Sequence, residues 1–278
     1  MMMSGSNIKI AILDMYDGEP NQGMRCIIDI IDRFSTIVTF KIFDIRGKSE
    51  FPDIKEYDIY ISTGGPGNPL EGDGIWDKKY YAFIDELTEW NREKETKKHV
   101  LFICHSFQMA CQHFGLAEIT KRKATSFGVM TIHKTKEALT DPLFEGLSDP
   151  FYAIDSRDYQ VVQPNLNIFF QKGATIISLE KIRDKAQYER AIMAVRFSAY
   201  FVGTQFHPEA DPLAFIANLK DTEKRKKIRA MKGKRKFRNM LEDLLDDQKI
   251  YKTNETIIPN FLRIAINDLM KTKKMVSN

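Results

Sequence analysis

Three short segments of this 278-residue chain carry side chains that could do chemistry together. The first is Leu101-Phe102-Ile103-Cys104-His105-Ser106-Phe107-Gln108, where a cysteine follows an apolar run and precedes a helical pattern. A side chain on such a turn projects from the carboxyl edge of a sheet, and the helix N-terminus behind it favours a thiolate. This is the geometry of a nucleophile elbow. The second is Gly203-Thr204-Gln205-Phe206-His207-Pro208-Glu209. Alternate strand positions share a face, so His207 and Glu209 can lie on one side, with Pro208 fixing the backbone between them. The carboxylate can then hold one imidazole nitrogen and leave the other free to act on a thiol. The third is Ser62-Thr63-Gly64-Gly65-Pro66-Gly67-Asn68-Pro69, whose glycines let backbone N–H groups face a ligand. It is not a Walker-type phosphate loop, because no Gly-Lys-Ser/Thr follows.

Each segment alone has a plainer reading: a geometric turn, a small buried cysteine, a surface His-Pro-Glu turn. Together they point elsewhere. Cys104 comes 37 residues after Gly67 and His207 103 residues after Cys104. All three fall at the carboxyl ends of expected strands, the edge where open α/β sheets bind ligands.

The elements that must position them are legible as alternating apolar runs and helical patterns. Strands are expected over Ile8 to Met15, Val38 to Ile45, Tyr57 to Ser62 and Val100 to Ile103. Met24, Ile27, Ile28, Ile31 and Phe34 recur at helical spacing; Trp76 to Lys94 and Phe107 to Phe114 also read as helices. This alternation argues for a parallel sheet covered on both faces. Ala124 to Thr135, Phe151 to Val162, Ile168 to Leu179 and Ile192 to Gln205 then read as strands with few helices between them, an antiparallel portion. From Pro212 onward the pattern is helical, with Phe237, Met240, Leu241, Leu244 and Leu245 as one stripe and Phe261, Ile264, Ala265 and Leu269 as another. Pro259 suits the first turn of the last helix. The expected organisation is one α/β domain over 1–215 and a helical extension over 216–278.

Composition sets the frame. With 43% hydrophobic and 29% charged residues, the chain is not disordered, collagen-like or membrane-spanning. Three cysteines fit a reducing compartment, and with no targeting segment evident the expected location is the cytoplasm. The net charge of +4 is local: residues 220–238 hold 11 Lys or Arg against 2 acids, leaving −5 for the rest. That stretch reads as a solvated helical face; the alternatives are binding to RNA, to an acidic partner or to a neighbouring subunit. It lacks the interleaved aromatics of a single-strand reader, so nucleic acid is not the expected partner.

On Gly64-Gly65-Pro66-Gly67, on Cys104 with Gln108 four residues later, and on Gln205-Phe206-His207-Pro208-Glu209, the chain resembles the class I glutamine amidotransferases over about residues 8 to 215. Among the families it is similar to are the GMP synthetase glutaminase domain and the γ-glutamyl peptidases. Asp141-Pro142-Leu143-Phe144 and Ser156-Arg157-Asp158-Tyr159 resemble weaker family segments. The resemblance implies a flavodoxin-like, doubly wound, mostly parallel sheet and a Cys104-His207-Glu209 triad that releases ammonia from glutamine through a γ-glutamyl thioester. It further implies an oxyanion hole from the backbone N–H groups of Gly65 and His105. Gly67, Gln108, Ser156, Arg157, Asp158 and Tyr159 would hold the amino-acid end of the substrate. No cofactor or metal is implied. The expected partners are a glutamine or γ-glutamyl substrate, a synthetase on a separate chain and, through the C-terminal helices, a second copy of this chain. A stand-alone γ-glutamyl hydrolase, or a non-catalytic regulatory subunit on the same scaffold, are the alternatives.

The chain departs from the family elbow, which usually reads Gly-x-Cys-x-Gly-x-Gln: Phe102 and Ser106 replace the two glycines. A Cβ at either position crowds a strained turn, Ser less than Phe, and Phe102 is expected to point into a neighbouring layer. Cys111 is expected in the core and Cys26 inside an amphipathic helix. Cys104, His105, Cys111 and His113 do not read as a metal site, because two helical turns separate the cysteines by about 10 Å. Trp76 and Trp90 read as packing residues.

Overall fold

The computed structural model describes residues 8–19, 21–182, 190–218 and 222–276. Residues 1–7, and Lys220 and Asp221 of the basic stretch, lie outside the described residues. Among the described residues nine strands form a single sheet. They are β1 (Ile8–Asp14), β2 (Val38–Asp44), β3 (Ile59–Ser62), β4 (His99–Ile103), β5 (Glu118–Lys134), β6 (Phe151–Val162), β7 (Thr175–Glu180), β8 (Ile192–Arg196) and β9 (Phe201–Thr204). Their spatial order is β2-β1-β3-β4-β9-β8-β7-β5-β6. The first five in that order are mutually parallel, and the remaining pairings are antiparallel. The sheet is the mixed α/β arrangement expected, with the carboxyl ends of β1, β3, β4 and β9 on one edge.

The central strands β3, β4 and β9 are buried at every position. Both faces are therefore covered, as a parallel sheet requires. One face carries α2 (Trp76–Glu93) and α3 (His105–His113) against Ala11, Leu13, Tyr60, Val100 and Phe102. The other carries α1 (Gln22–Asp32) against Ile10, Ile12, Ile61 and Leu101.

A second helix shares that other face. The C-terminal part folds as α5 (Pro212–Asn218), α6 (Thr222–Lys232), α7 (Lys234–Leu244), α8 (Ile250–Asn254) and α9 (Ile257–Val276); between β6 and β7 lies the short α4 (Leu166–Lys172). Ile257, Ile258, Phe261, Leu262, Ala265, Ile266 and Leu269 of α9 are buried in the same cluster as the strands β1, β3 and β4. Phe237, Met240 and Leu244 of α7 form a further cluster with Ile154 of β6. The 216–278 segment thus supplies part of the core.

Two expected strands are corrected. The run Ile168 to Leu179 divides into α4 and β7 because Asn165 caps the helix through its side chain, accepting from Ile168 N, and Gly173 ends it in the left-handed conformation. The run Ile192 to Gln205 divides into β8 and β9, which pair antiparallel around a turn where Ser198 Oγ accepts from Tyr200 N and Phe201 N. The expected strand from Ala124 begins earlier, at Glu118, with an irregularity in its pairing between Lys121 and Ser126.

Candidate active site

Cys104 caps α3 with φ 49° and ψ −98°, a left-side conformation that non-glycine residues seldom adopt. Hydrogen bonds on both sides hold it there. Cys104 N donates to Thr204 O at 2.8 Å, and Gln108 N donates to Cys104 O at 3.0 Å. The two replaced elbow glycines have distinct solutions. Ser106 is fully buried; its hydroxyl accepts from Ile103 N at 2.9 Å and donates to Ser62 O at 2.8 Å, fastening the elbow to β3. Phe102 points into the aromatic layer, with ring centroids 5.6 Å from Phe197 and 6.1 Å from Phe201. Its register partner on β9 is Gly203, where an added Cβ would lie 2.7 Å from the Phe107 ring and 3.1 Å from Phe102 Cβ. The glycine missing from β4 has a counterpart on the neighbouring strand.

The His207–Glu209 turn follows β9. Glu209 Oε1 lies 2.7 Å from His207 Nδ1, and the imidazole borders the same cavity as Cys104, whose thiol donates to Ser156 O at 3.8 Å. His207 N donates to Ile154 O at 2.9 Å, and Asn254 Nδ2 of α8 donates to Glu209 O at 2.8 Å. Burial acts to lower the His207 pKa, but Glu209 and Cys104 outweigh it and leave the imidazole well above its ordinary value. Glu209 Oε2 is buried without a hydrogen-bond partner among the described residues.

The Gly-rich turn lies across from Cys104. A Cβ on Gly65 would lie 2.3 Å from Met15 O, so only glycine lets this backbone approach β1. Arg46 braces the turn, its Nη1 donating to Pro66 O at 2.7 Å and Met15 O at 3.2 Å. His105 is the first residue of α3, where backbone N–H groups have no intrahelical acceptor. Its side chain is buried; burial, reinforced by the charge of Arg46, pushes its pKa down to about 3, so it carries no charge near neutrality.

These groups line one cavity of about 510 Å³. Gly65, Gly67, Cys104, His105, Gln108, Ser156, Arg157, Asp158, Tyr159, His207 and Glu209 all border it, so the residues given a site role from the sequence are brought to one place, whereas residues 141–144 lie elsewhere. Two offer less than their side chains suggest. The Arg157 guanidinium donates to Asp155 Oδ2 at 2.9 Å and Glu180 Oε2 at 3.2 Å, fully buried among them. Gln108 Nε2 donates to Tyr159 O at 3.1 Å and to Gln205 Oε1 at 3.0 Å, while Gln205 Nε2 reaches Cys104 Sγ at 3.7 Å. The two amides form a relay that anchors the sulfur. Cys26, expected only as a helix residue, also borders the cavity, whereas Cys111 is fully buried in the core.

Sequence reasoning gave no role to Gln205, Tyr16, Arg46, Phe127, Phe215 or Asn254. Gln205 stood inside a quoted motif, and Tyr16 follows β1 at the same sheet edge as the other segments, so both carried a signal. Arg46 and Asn254 carried none, because only the tertiary fold brings them near.

Residues 27–222 match the family model described as glutamine amidotransferase class-I. The chain belongs to the class-I glutamine amidotransferase family. Among solved structures, a glutamine amidotransferase from Thermotoga maritima is similar to it with a TM-score of 0.67 and 19% identity, covering 94% of this chain and 98% of that one. A putative GMP synthase component from Thermoplasma acidophilum is similar with a TM-score of 0.57 and 14% identity, covering 98% of each chain. At these identities the likeness is one of fold. Homoserine O-acetyltransferase of Synechococcus elongatus is 31% identical over 108 residues, 39% of this chain and 34% of that protein. The chain thus spans about a third of the length of the curated relatives it matches. Amidotransferases of this family generally hydrolyse glutamine amides. Among the described residues no helix is long and apolar enough to cross a membrane.

Proposed function

We propose that this amidotransferase hydrolyses a γ-glutamyl amide through Cys104, His207 and Glu209 and releases ammonia for a separate synthetase. One observation carries the reading: His207 Nδ1 is held 2.7 Å from Glu209 Oε1 in the cavity that Cys104 borders from its strained elbow. Cys104 Sγ attacks the amide carbon, and its proton passes to His207. The oxyanion is met by the backbone N–H groups of Gly65 and His105, each such donor being worth about 3 kcal/mol. His207 then protonates the leaving nitrogen as the C–N bond breaks, forming the thioester. Glu209 fixes the tautomer and stabilises the imidazolium. Gly67, Gln108 and the Ser156–Tyr159 stretch border the space for the amino-acid end, with Arg157 contributing backbone there.

A second reading is favoured by the cavity itself. Glutamine has ten non-hydrogen atoms; even at a water's share of about 30 Å³ each it fills roughly 300 Å³, less than the 510 Å³ present. The surplus, walled in part by Phe127, Ile154 and Phe215, accommodates a leaving amine larger than ammonia. The test is ammonia release from free glutamine and amine release from γ-glutamyl peptides, each beside Cys104→Ala. Activity on glutamine that vanishes in the variant supports the first reading. Activity on peptides alone supports the second. Full activity in Cys104→Ala removes the nucleophile assignment from both. Homoserine is included as an acceptor because of the shared 108-residue stretch; an O-acyl product would redirect the proposal from hydrolysis to acyl transfer.

A further inference from the structure

Tyr16 stands among the three reactive side chains without a part in the chemistry above. It borders the cavity, directly after β1. Two glycines make room for its hydroxyl. A Cβ on Gly23, the second residue of α1, would lie 2.8 Å from Tyr16 Oη and 3.1 Å from Glu209 Oε1. A Cβ on Gly64 would lie 3.0 Å from His207 Cε1, 3.3 Å from Tyr16 Oη and 3.5 Å from Cys104 Cβ. The phenol oxygen therefore shares the small spaces beside Gly23 and Gly64 with Glu209 Oε1, His207 Cε1 and Cys104 Cβ. Glycine inside a helix costs about 1 kcal/mol relative to alanine, and its place at position 23 is explained by the space the phenol needs.

We infer that Tyr16 is a fourth catalytic residue, whose hydroxyl holds the water that hydrolyses the Cys104 thioester against His207. This rests on the hydrolytic reading above. The argument is one of tethering. The amide nitrogen that leaves is positioned by its own covalent bond to the substrate, whereas the incoming water has no tether. A polar group beside His207 therefore matters most in the second half-reaction. In that step the water oxygen adds to the thioester carbonyl carbon. One water proton passes to His207, and the other stays hydrogen-bonded to Tyr16 Oη. Collapse breaks the C–S bond, and His207 returns its proton to Cys104 Sγ. Burial foremost, then the nearness of Glu209 and Cys104 and, more weakly, of Asp14 and Cys26, keeps the phenol pKa well above its ordinary value. Tyr16 thus acts as a neutral O–H group and not as a base.

The test compares wild type, Tyr16→Phe and Gly23→Ala by steady-state turnover, by intact mass after acid quench, and with added hydroxylamine. Tyr16→Phe is expected to lower kcat by about 10- to 100-fold, in the lower range of a positioned proton-transfer group. kcat/KM should stay nearly unchanged, with KM falling alongside kcat because acyl-enzyme accumulates on Cys104, and hydroxylamine, a stronger nucleophile, should restore turnover. Gly23→Ala keeps the phenol but crowds it, and Glu209 Oε1 with it, so it should fold and lower kcat at least as far as Tyr16→Phe. Adding Tyr16→Phe to it should change little, as coupled residues do. Wild-type kcat in both single variants, or a fall in kcat with neither acyl-enzyme nor a hydroxylamine response, would overturn the inference. A wild-type protein that forms no Cys104 adduct and releases no amine would instead overturn the hydrolytic reading beneath it, and the role of Tyr16 with it.

Discussion

The two sides of the reactive cleft are built on different supports. The nucleophile side rests on buried parallel strands: Cys104 is fixed by main-chain bonds to β9 and within α3, and by the Ser106 hydroxyl to β3. The His207–Glu209 side is a turn beyond the end of a strand. Its supports come from far along the chain, Ile154 of the antiparallel portion and Asn254 of the C-terminal helices. A strained elbow can be held by a sheet alone, because every neighbouring backbone group is already fixed. A turn carrying a buried, partly unpaired carboxylate needs additional elements packed over it. In this chain the helices after residue 215 supply them.

If that contrast is right, disabling each side should look different. The largest effect is expected from Glu209→Gln. The amide cannot stabilise an imidazolium and can hold the wrong tautomer, so kcat for ammonia release should fall by about 10³- to 10⁴-fold while the protein stays folded. A loss under tenfold would show that Glu209 is not the partner of His207. Next is Phe102→Gly, which restores the usual family residue on the nucleophile side. Gly203 then loses its Phe102 neighbour but still faces the Phe107 and Phe197 rings, and deleting the buried phenyl should cost about 3–5 kcal/mol in urea unfolding. A variant of unchanged stability would mean that Phe102 and Gly203 do not compensate each other. Smaller still is Asn254→Ala. Losing the donor to buried Glu209 O should cost about 1–3 kcal/mol of stability. It should lower kcat by about tenfold with KM unchanged, and Asn254→Gln should not fully rescue it because the longer chain overshoots. If kcat is unmoved, the C-terminal helices serve only the core.

The reactive residues of both sides were legible, but of the supports only those of the nucleophile side were. A strand-ending Cys104, a Gly64–Gly67 turn and an alternating pattern are local signals, and a parallel sheet brings strand ends to one edge by its topology. The resolution of Phe102 was legible only in part. Its layer could be named, but its partner could not, since Phe102 and Gly203 lie far apart in sequence and meet only through the β4–β9 register. The side-chain roles of Arg157 and Gln108 were hidden for a similar reason. The acid that captures Arg157 from β7, Glu180, and the amide that captures Gln108, Gln205, are brought near by strand order. Single-sequence periodicity also merged α4 with β7, because a helix with only Phe169 buried has no apolar stripe to announce it. The segment after residue 215 looked like an extension because its stripes are those of any amphipathic helix. Nothing in a stripe tells which face of which sheet it will cover.

The smallest expected effect asks whether α9 also reaches the nucleophile side. His99 begins β4, the strand that ends beside Cys104, and its Nε2 lies 2.9 Å from Asp268 Oδ2 of α9. Burial foremost lowers the His99 pKa; the hydrogen bond and charge of Asp268 offset this only partly, so the net direction is down. The unfolded chain, with an imidazole near the ordinary value of about 6.5, therefore binds the proton more readily than the folded one. Stability from this site is complete above that value and is lost as pH falls from it toward the folded pKa. Asp268→Asn removes the offset, so the acid loss should steepen while stability at pH about 7.5 changes little. Because the Asp268 carboxylate is partly exposed, solvent screening keeps the extra loss between pH about 7.5 and 5.5 small, at most about 1 kcal/mol. Urea midpoints at the two pH values measure it. An identical pH dependence in the two proteins would mean that α9 does not hold β4 through this pair, and would confine the reach of the C-terminal helices to the His207–Glu209 side and the core.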